Sequence, residues 1–227
     1  EVFGLQFLKE NKVLIPNIIY NGKFKEHIFL VLEWVDSGAK TDLFWENFAK
    51  QLAIFHQQKG MKFGLESNNY MGKIPQNNNF SNCFIEFFIE NRIEPQVKLA
   101  IDNQLLSPKI NIHFENLYKQ LEVIFPMEEP SAVHGDLWSG NFICNLKENA
   151  VFIDPAVFFG HREIDIAMTR LFGGFTASFY NYYNEMYPLE KGFDNRKDVF
   201  NLYPLLVHLN LFGTSYLRNI ESIITKF

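Results

Sequence analysis

The stretch NFICNLKENAVFID, residues 141–154, constrains this chain more than any other. Two short apolar runs enclose Lys147-Glu148-Asn149, the pattern of a β-hairpin. Polar residues stand at its outer ends, Asn141 before the first run and Asp154 after the second. Immediately upstream, AVHGDLWSGNF (132–142) reads as a strand end running into a tight loop that keeps His134, Gly135 and Asp136 together. Asn141 follows Asp136 by five positions. A fold that forms this hairpin brings Asp136, Asn141 and Asp154 close to one another.

An aspartate on such a loop can accept a proton from an incoming hydroxyl. The Asn141 amide oxygen and the Asp154 carboxylate can share Mg²⁺, a hard cation that prefers oxygen ligands. Phosphoryl transfer asks for this set: a residue that orients the nucleophile and metal ligands that neutralise phosphate oxygens, with little covalent work for the protein. The kinase catalytic loop has the same order, an Asp, an Asn five positions on, and a later metal-binding Asp. Each residue alone is ordinary; their joint spacing is not. Asp154 before Pro155 could otherwise simply end a strand, and it is the pairing with Asp136 that favours a metal role.

Elsewhere the period alternates between strand and helix. VLIPNIIY (13–20) and HIFLVLEWV (27–35) flank Asn21-Gly22, a turn signal for an antiparallel pair, with Pro16 pushing the first run to an edge. From Thr41 the period becomes helical through Phe44, Phe48, Leu52 and Phe55, with Thr41 as cap and Gly60 as stop. Residues 63–82, rich in Asn, Gly and Pro, read as mostly loop. Further helices are expected around Phe84–Phe88, over Phe114–Ile124, and at 164–172, 175–186, 199–211 and 216–224. The order is α+β: a small β-containing piece, then a mainly helical body with one embedded hairpin.

Composition narrows the partners. A net charge of −5 argues against a nucleic-acid surface or a polybasic membrane surface, so the partner is small. The longest apolar run, Ile28–Leu32, is far short of a membrane span, and the N-terminus lacks signal-peptide features. A cytoplasmic location with reduced Cys83 and Cys144, which show no CxxC spacing, is expected. The oligomeric state is not legible. The chain opens on EVFGLQFLKEN with no initiator Met, which suggests missing upstream residues.

The strings HGDLWSGN, IDPAVFFGHREIDIAMTRLFGGF (153–175), FGLESNNYMGKIPQNN (63–78) and LVHLNLFG (206–213) resemble the fructosamine-3-kinase, or ketosamine-3-kinase, family. That family is a branch of the kinase-like fold that includes aminoglycoside and choline phosphotransferases. The likeness runs from Leu32 onward and implies a two-lobed, protein-kinase-like fold. Residues 1–35 would be the remnant of an N-terminal β lobe most of which is missing, ending in the hinge strand; residues 36–227 would form the catalytic and substrate-binding lobe. It implies ATP and Mg²⁺ as cofactors, Asp136 as catalytic base, Asn141 and Asp154 as metal ligands, and the backbone of Glu33, Trp34 and Val35 as the adenine-binding hinge. The implied reaction is phosphorylation of the 3-hydroxyl of free or protein-bound ketoamines such as fructoselysine and ribuloselysine, whose unstable product releases the amine. The family's glycine-rich loop and strand lysine are absent from these residues; Glu1 falls where the glutamate that pairs with that lysine would stand. An aminoglycoside, choline or other amine-bearing alcohol as acceptor, or a pseudokinase that only binds, are the alternatives.

Other side chains carry two readings each. His134 reads as a structural brace, since no second His lies at ligand spacing. Trp138 faces the sugar by resemblance, or is a core aromatic. Asp165 could be a third metal ligand, but it lies beside Arg162 and Glu163 on an amphipathic helix, and the resemblance to kinase-like folds implies a buttress hydrogen-bonded to the catalytic loop. His161 and Arg162 contact substrate or merely cap a helix. Gly135 stands where protein kinases place the Arg that docks a phosphorylated loop, and Pro-Ala-Val-Phe-Phe after Asp154 is short and apolar. Both point to a small-molecule kinase without a phosphorylated activation loop.

Overall fold

Apolar residues recur at helical spacing over most of the chain, and the computed structural model, which describes all 227 residues, is mainly helical. It opens with helix α1 (Val2–Glu10), the antiparallel strands β1 (Ile18–Phe24) and β2 (His27–Leu32), and helix α2 (Asp42–His56). A short hairpin, β3 (Asn69–Met71) and β4 (Ile74–Gln76), precedes α3 (Phe84–Phe88), a π-helical turn at Ile89–Ile93 and α4 (Glu94–Asp102). Then come α5 (Asn111–Tyr118), α6 (Leu121–Ile124) and the strands β5 (Ser131–Val133), β6 (Phe142–Cys144), β7 (Ala150–Phe152) and β8 (Phe158–Gly160). Helices α7 (Glu163–Leu171), α8 (Ala177–Met186), α9 (Phe193–Phe200), α10 (Leu202–Phe212) and α11 (Leu217–Ile224) complete the chain. No helix is long and apolar enough to cross a membrane.

The 141–154 hairpin forms as its pattern predicts, with Phe142 opposite Phe152 and Cys144 opposite Ala150. β5 pairs antiparallel with β8, Val133 opposite Phe158, so the loop after β5 and the turn before β8 leave the same end of the two small sheets. An aromatic cluster supports that end. Phe48 of α2, fully buried, lies 4.7 Å from Phe142, 5.3 Å from Phe152 and 5.2 Å from Phe179 of α8, ring centre to ring centre. Such edge contacts add about 0.5–1.5 kcal/mol each beyond burial.

Several boundaries differ from the sequence reading. The first hairpin turns at Lys25-Glu26, where Lys25 has φ 54°, and Asn21-Gly22 lies inside β1 opposite Leu30 and Phe29. The Tyr20 and Phe29 rings stack across the two strands, and cross-strand pairing of this kind outweighs a local turn preference. Thr41 caps α2 through its hydroxyl, which accepts from the Phe44 N–H. The helix stops at His56, however, because residues 58–60 turn into extended pairing with β5: Ala132 N–H donates to Gln58 O and Gly60 N–H to Pro130 O. The stretch 63–82 is mostly loop, as its composition predicts, and carries only the short strands β3 and β4, which turn about Gly72 at φ +57°. The helix expected over 114–124 breaks between Tyr118 and Leu121, and that over 199–211 divides at Asn201, whose amide donates to Ala167 O.

Candidate active site

Residues 134–141 and 153–156 are zipped together. Ala156 N–H donates to His134 O at 2.9 Å, Ile153 N–H to Asn141 O at 3.1 Å, and His134 Nε2 lies 3.1 Å from Ile153 O. Gly135, at φ +81°, is the one residue type that fits between the segments, because a Cβ there would fall on the Ala156 carbonyl oxygen. This explains the absence of the Arg found in protein kinases. His134 is fully buried and its Nδ1 accepts from the Asp136 N–H, so its ring braces the loop.

Asp165, fully buried on α7, holds the same backbone from below: its carboxylate accepts from His134 N–H at 2.7 Å and Gly135 N–H at 2.9 Å. Asn141 donates its amide to both the backbone oxygen and the carboxylate of Asp136, at 2.8 and 2.9 Å. Burial pushes the Asp136 carboxyl up to about 7; the Asn141 hydrogen bond opposes this, and the charges of Asp154 and Asp165 add to it. Asp154, exposed, adopts φ 52° directly before Pro155, a left-handed conformation tolerated by Asp but unusual there. Strain of this kind concentrates at functional sites.

Helix α1 packs on this turn, Gly4 meeting Pro155, and so delivers Glu1 to the site. The Glu1 carboxyl is raised by burial and then by the charge of Asp154. A carboxyl raised by a neighbouring acid in this way is complementary to a cation. No three His, Cys, Asp or Glu side chains gather into a metal cage. With the Asn141 amide nitrogen engaged on Asp136, its carboxamide oxygen and the Asp154 carboxylate provide two hard oxygen ligands. That set fits Mg²⁺, which keeps waters and phosphate oxygens in its shell.

A cavity of about 290 Å³ lies between residues 14–16, the segment Glu33–Asp36 and the tip of the β6–β7 hairpin, with Leu146 and Val151 in its wall. Glu33 is pinned there: its carboxylate accepts from the Asn17 side chain at 2.6 Å. Trp34 is exposed and donates to Asp36, and Val35 completes the wall. From Val151 the chain runs three residues to Asp154, about 10 Å for extended backbone, a span suited to a base at one end and phosphates at the other. A larger cavity, about 730 Å³ between α4 and α5, touches none of these residues.

Trp138, 38% exposed, packs edge-on against Phe172, and Phe172 against His208 of α10. This aromatic wall beside Asp136 includes two residues that sequence reasoning did not single out, Phe172 and His208, although each lies inside a string that carries the family resemblance, 153–175 and LVHLNLFG. Also missed was a clamp behind the Asp154 turn. Gln76 donates to Ala156 O and Asn69 to Val157 O, while buried Arg92 stacks on Phe158 and donates to Asn78 Oδ1.

His161 and Arg162 require a correction. His161 is fully buried among Phe84, Phe125 and Phe200, its Nε2 on Pro126 O, and burial lowers its pKa to about 4. Arg162, 2% exposed, spends its guanidinium on Glu128, the Tyr183 hydroxyl, Tyr187 O and Pro188 O. His161 has no donor left for substrate, and Arg162 is buried with four of its five N–H groups engaged, so both are structural.

The fold is of the kinase-like class. The aminoglycoside phosphotransferase APH(2'')-Ib, in its ADP-bound structure, shares the fold with a TM-score of 0.58 at 15% identity, over 98% of this chain and 79% of that one. The fructosamine kinase family model matches residues 1–227, and the chain belongs to that family. A candidate ketoamine kinase of Enterococcus faecium is 37% identical over the whole of this chain and 81% of its own length. The chloroplastic protein-ribulosamine 3-kinase of Arabidopsis thaliana is 33% identical over 100% of this chain and 71% of its own length. The crystal structure of a candidate fructosamine-3-kinase from Thermobifida fusca superposes with a TM-score of 0.89 at 34% identity, covering 99% of this chain and 77% of the other.

Proposed function

We propose that this chain transfers the γ-phosphoryl group of ATP to the 3-hydroxyl of ketoamines such as fructoselysine and ribuloselysine, a step toward releasing the glycated amine. Asp136, held by Asn141 and by the Asp165-clamped backbone, accepts the hydroxyl proton as the oxygen attacks phosphorus in line. Asn141 and Asp154 hold Mg²⁺, which when bound neutralises charge on the phosphate oxygens. The backbone of Glu33, Trp34 and Val35 receives adenine in the 290 Å³ cavity, and Trp138 lies against the sugar. Residues 1–35 form the nucleotide-side segment and residues 36–227 the catalytic lobe. Two free thiols accord with a reducing, cytoplasmic setting.

The observation that carries this reading is the fixed Asp136–Asn141 pair beside the free carboxylate of Asp154, in a chain of the fructosamine kinase family. Mass spectrometry of ribuloselysine and fructoselysine incubated with Mg-ATP tests it. The unmodified protein adds one phosphate; Asp136→Asn, which folds equally well, loses about 10²–10⁴-fold in turnover, the usual worth of a general base. Near-normal turnover in that variant would reject Asp136 as the base.

A further inference from the structure

Behind the catalytic loop, buried polar groups form a chain directed toward Asp165. His56 Nε2 lies 3.1 Å from Asp165 Oδ2, and His56 Nδ1 lies 2.7 Å from the Tyr183 hydroxyl, to which Arg162 Nη1 donates at 3.2 Å. His56 and Asp165 are fully buried and Tyr183 is 1% exposed. The groups come from four places: α2, α7, the turn before α7, and α8.

One placement of protons satisfies them all. A carboxylate only accepts, so His56 Nε2 must carry hydrogen toward Asp165. Were Nδ1 protonated as well, an imidazolium would face the Arg162 guanidinium across one oxygen, and the Tyr183 hydroxyl hydrogen would have no acceptor in the core. Were Nδ1 the sole protonated nitrogen, the Nε2 lone pair would point at the carboxylate. The imidazole is therefore neutral with its hydrogen on Nε2, and Tyr183 donates to Nδ1. The charged and titratable groups facing the ring are Asp165 of α7, Arg162, Tyr183 of α8 and Glu128 before β5; burial outweighs the two acids and keeps the ring from taking a second proton.

We propose that Tyr183 is a positioning residue for phosphoryl transfer. Its hydroxyl, held by Arg162, locks His56 in the form that donates to Asp165, and Asp165 in turn fixes the His134–Gly135 backbone and with it the place of Asp136. This role rests on the reading of Asp136 as the base. The chain of groups also explains why Arg162 is buried rather than turned toward substrate.

Nitrogen NMR of the unmodified full chain tests the proton placement without any variant. His56 should carry its hydrogen on Nε2 alone between about pH 6 and 8, the window in which an ordinary His titrates; hydrogen on Nδ1 or on both nitrogens overturns the proposal. Tyr183→Phe keeps the ring and deletes the donor. In that variant the Gly135 amide should exchange faster, and kcat should fall about tenfold at unchanged KM for ATP and acceptor, the mark of a lost transition-state interaction. A folded variant with unchanged Gly135 exchange and an unchanged kcat overturns the role. NMR and exchange need no turnover, so a failure of the ketoamine reading would show separately, as no phosphorylation by the unmodified protein.

Discussion

Replacing Gly135 by Ala tests the clamped-loop geometry most directly. The left-handed conformation at φ +81° costs a residue with a side chain about 1–2 kcal/mol. The larger cost is steric, because the new methyl falls on the Ala156 carbonyl oxygen and lies 3.1 Å from a Phe158 ring carbon. Neither neighbour can step aside. Ala156 O accepts from Gln76 at 3.0 Å, and Phe158 is 1% exposed in β8 beneath Arg92. The loop must retreat instead, stretching the Gly135 N–H bond to Asp165 and the Ala156 N–H bond to His134 O. Weakening one charge-assisted and one neutral hydrogen bond costs about 2–4 kcal/mol, so the variant should lose about 3–6 kcal/mol in urea unfolding. A domain near the middle of the usual range of about 5–15 kcal/mol stays folded after that loss. A shift on the order of 1 Å at Asp136 is worth about 100-fold in rate, so kcat at saturating ATP and ketoamine should fall by that order. Stability within about 1 kcal/mol of the parent and kcat within about threefold would show that the loop is not clamped, and would refute the reasoning.

Other variants separate structural from functional side chains. Phe48→Ala opens a cavity beneath Phe142 and Phe152 and should cost about 3–5 kcal/mol by denaturant unfolding; a loss under 1 kcal/mol would mean the hairpin does not depend on that ring. Arg162→Ala strands Glu128 and should destabilise by about 3–5 kcal/mol, with acceptor KM unchanged in the folded fraction. A raised acceptor KM at full stability would return Arg162 to the substrate site. His161 is held neutral down to about pH 4 when folded but protonates near 6.5 when unfolded, so its contribution is lost as pH falls through that window. Because raised acids such as Asp136 act in the opposite sense, the useful comparison is with His161→Gln, relative to which the parent should lose about 3 kcal/mol between pH 7 and 4. Parallel stability curves for the two proteins would sink this account.

The sequence by itself determined what depends on near neighbours. The hairpin at 141–154, the capping of α2 by Thr41 and the five-residue interval from Asp136 to Asn141 are properties of short spans, and alternation, capping chemistry and spacing are legible over short spans. Tertiary structure decided what depends on distant partners. Arg162 and His161 look, in sequence, like polar residues at a helix start; α8 and the 126–128 segment bury them and engage their donors. Asp165 becomes a clamp through backbone 31 residues away, and His56 reaches Tyr183 across 127 residues. The raised carboxyl of Asp136 is likewise a consequence of burial and of charges brought by other elements. A side chain's burial and its partners are set by which elements pack against it, and no local period in the chain encodes that.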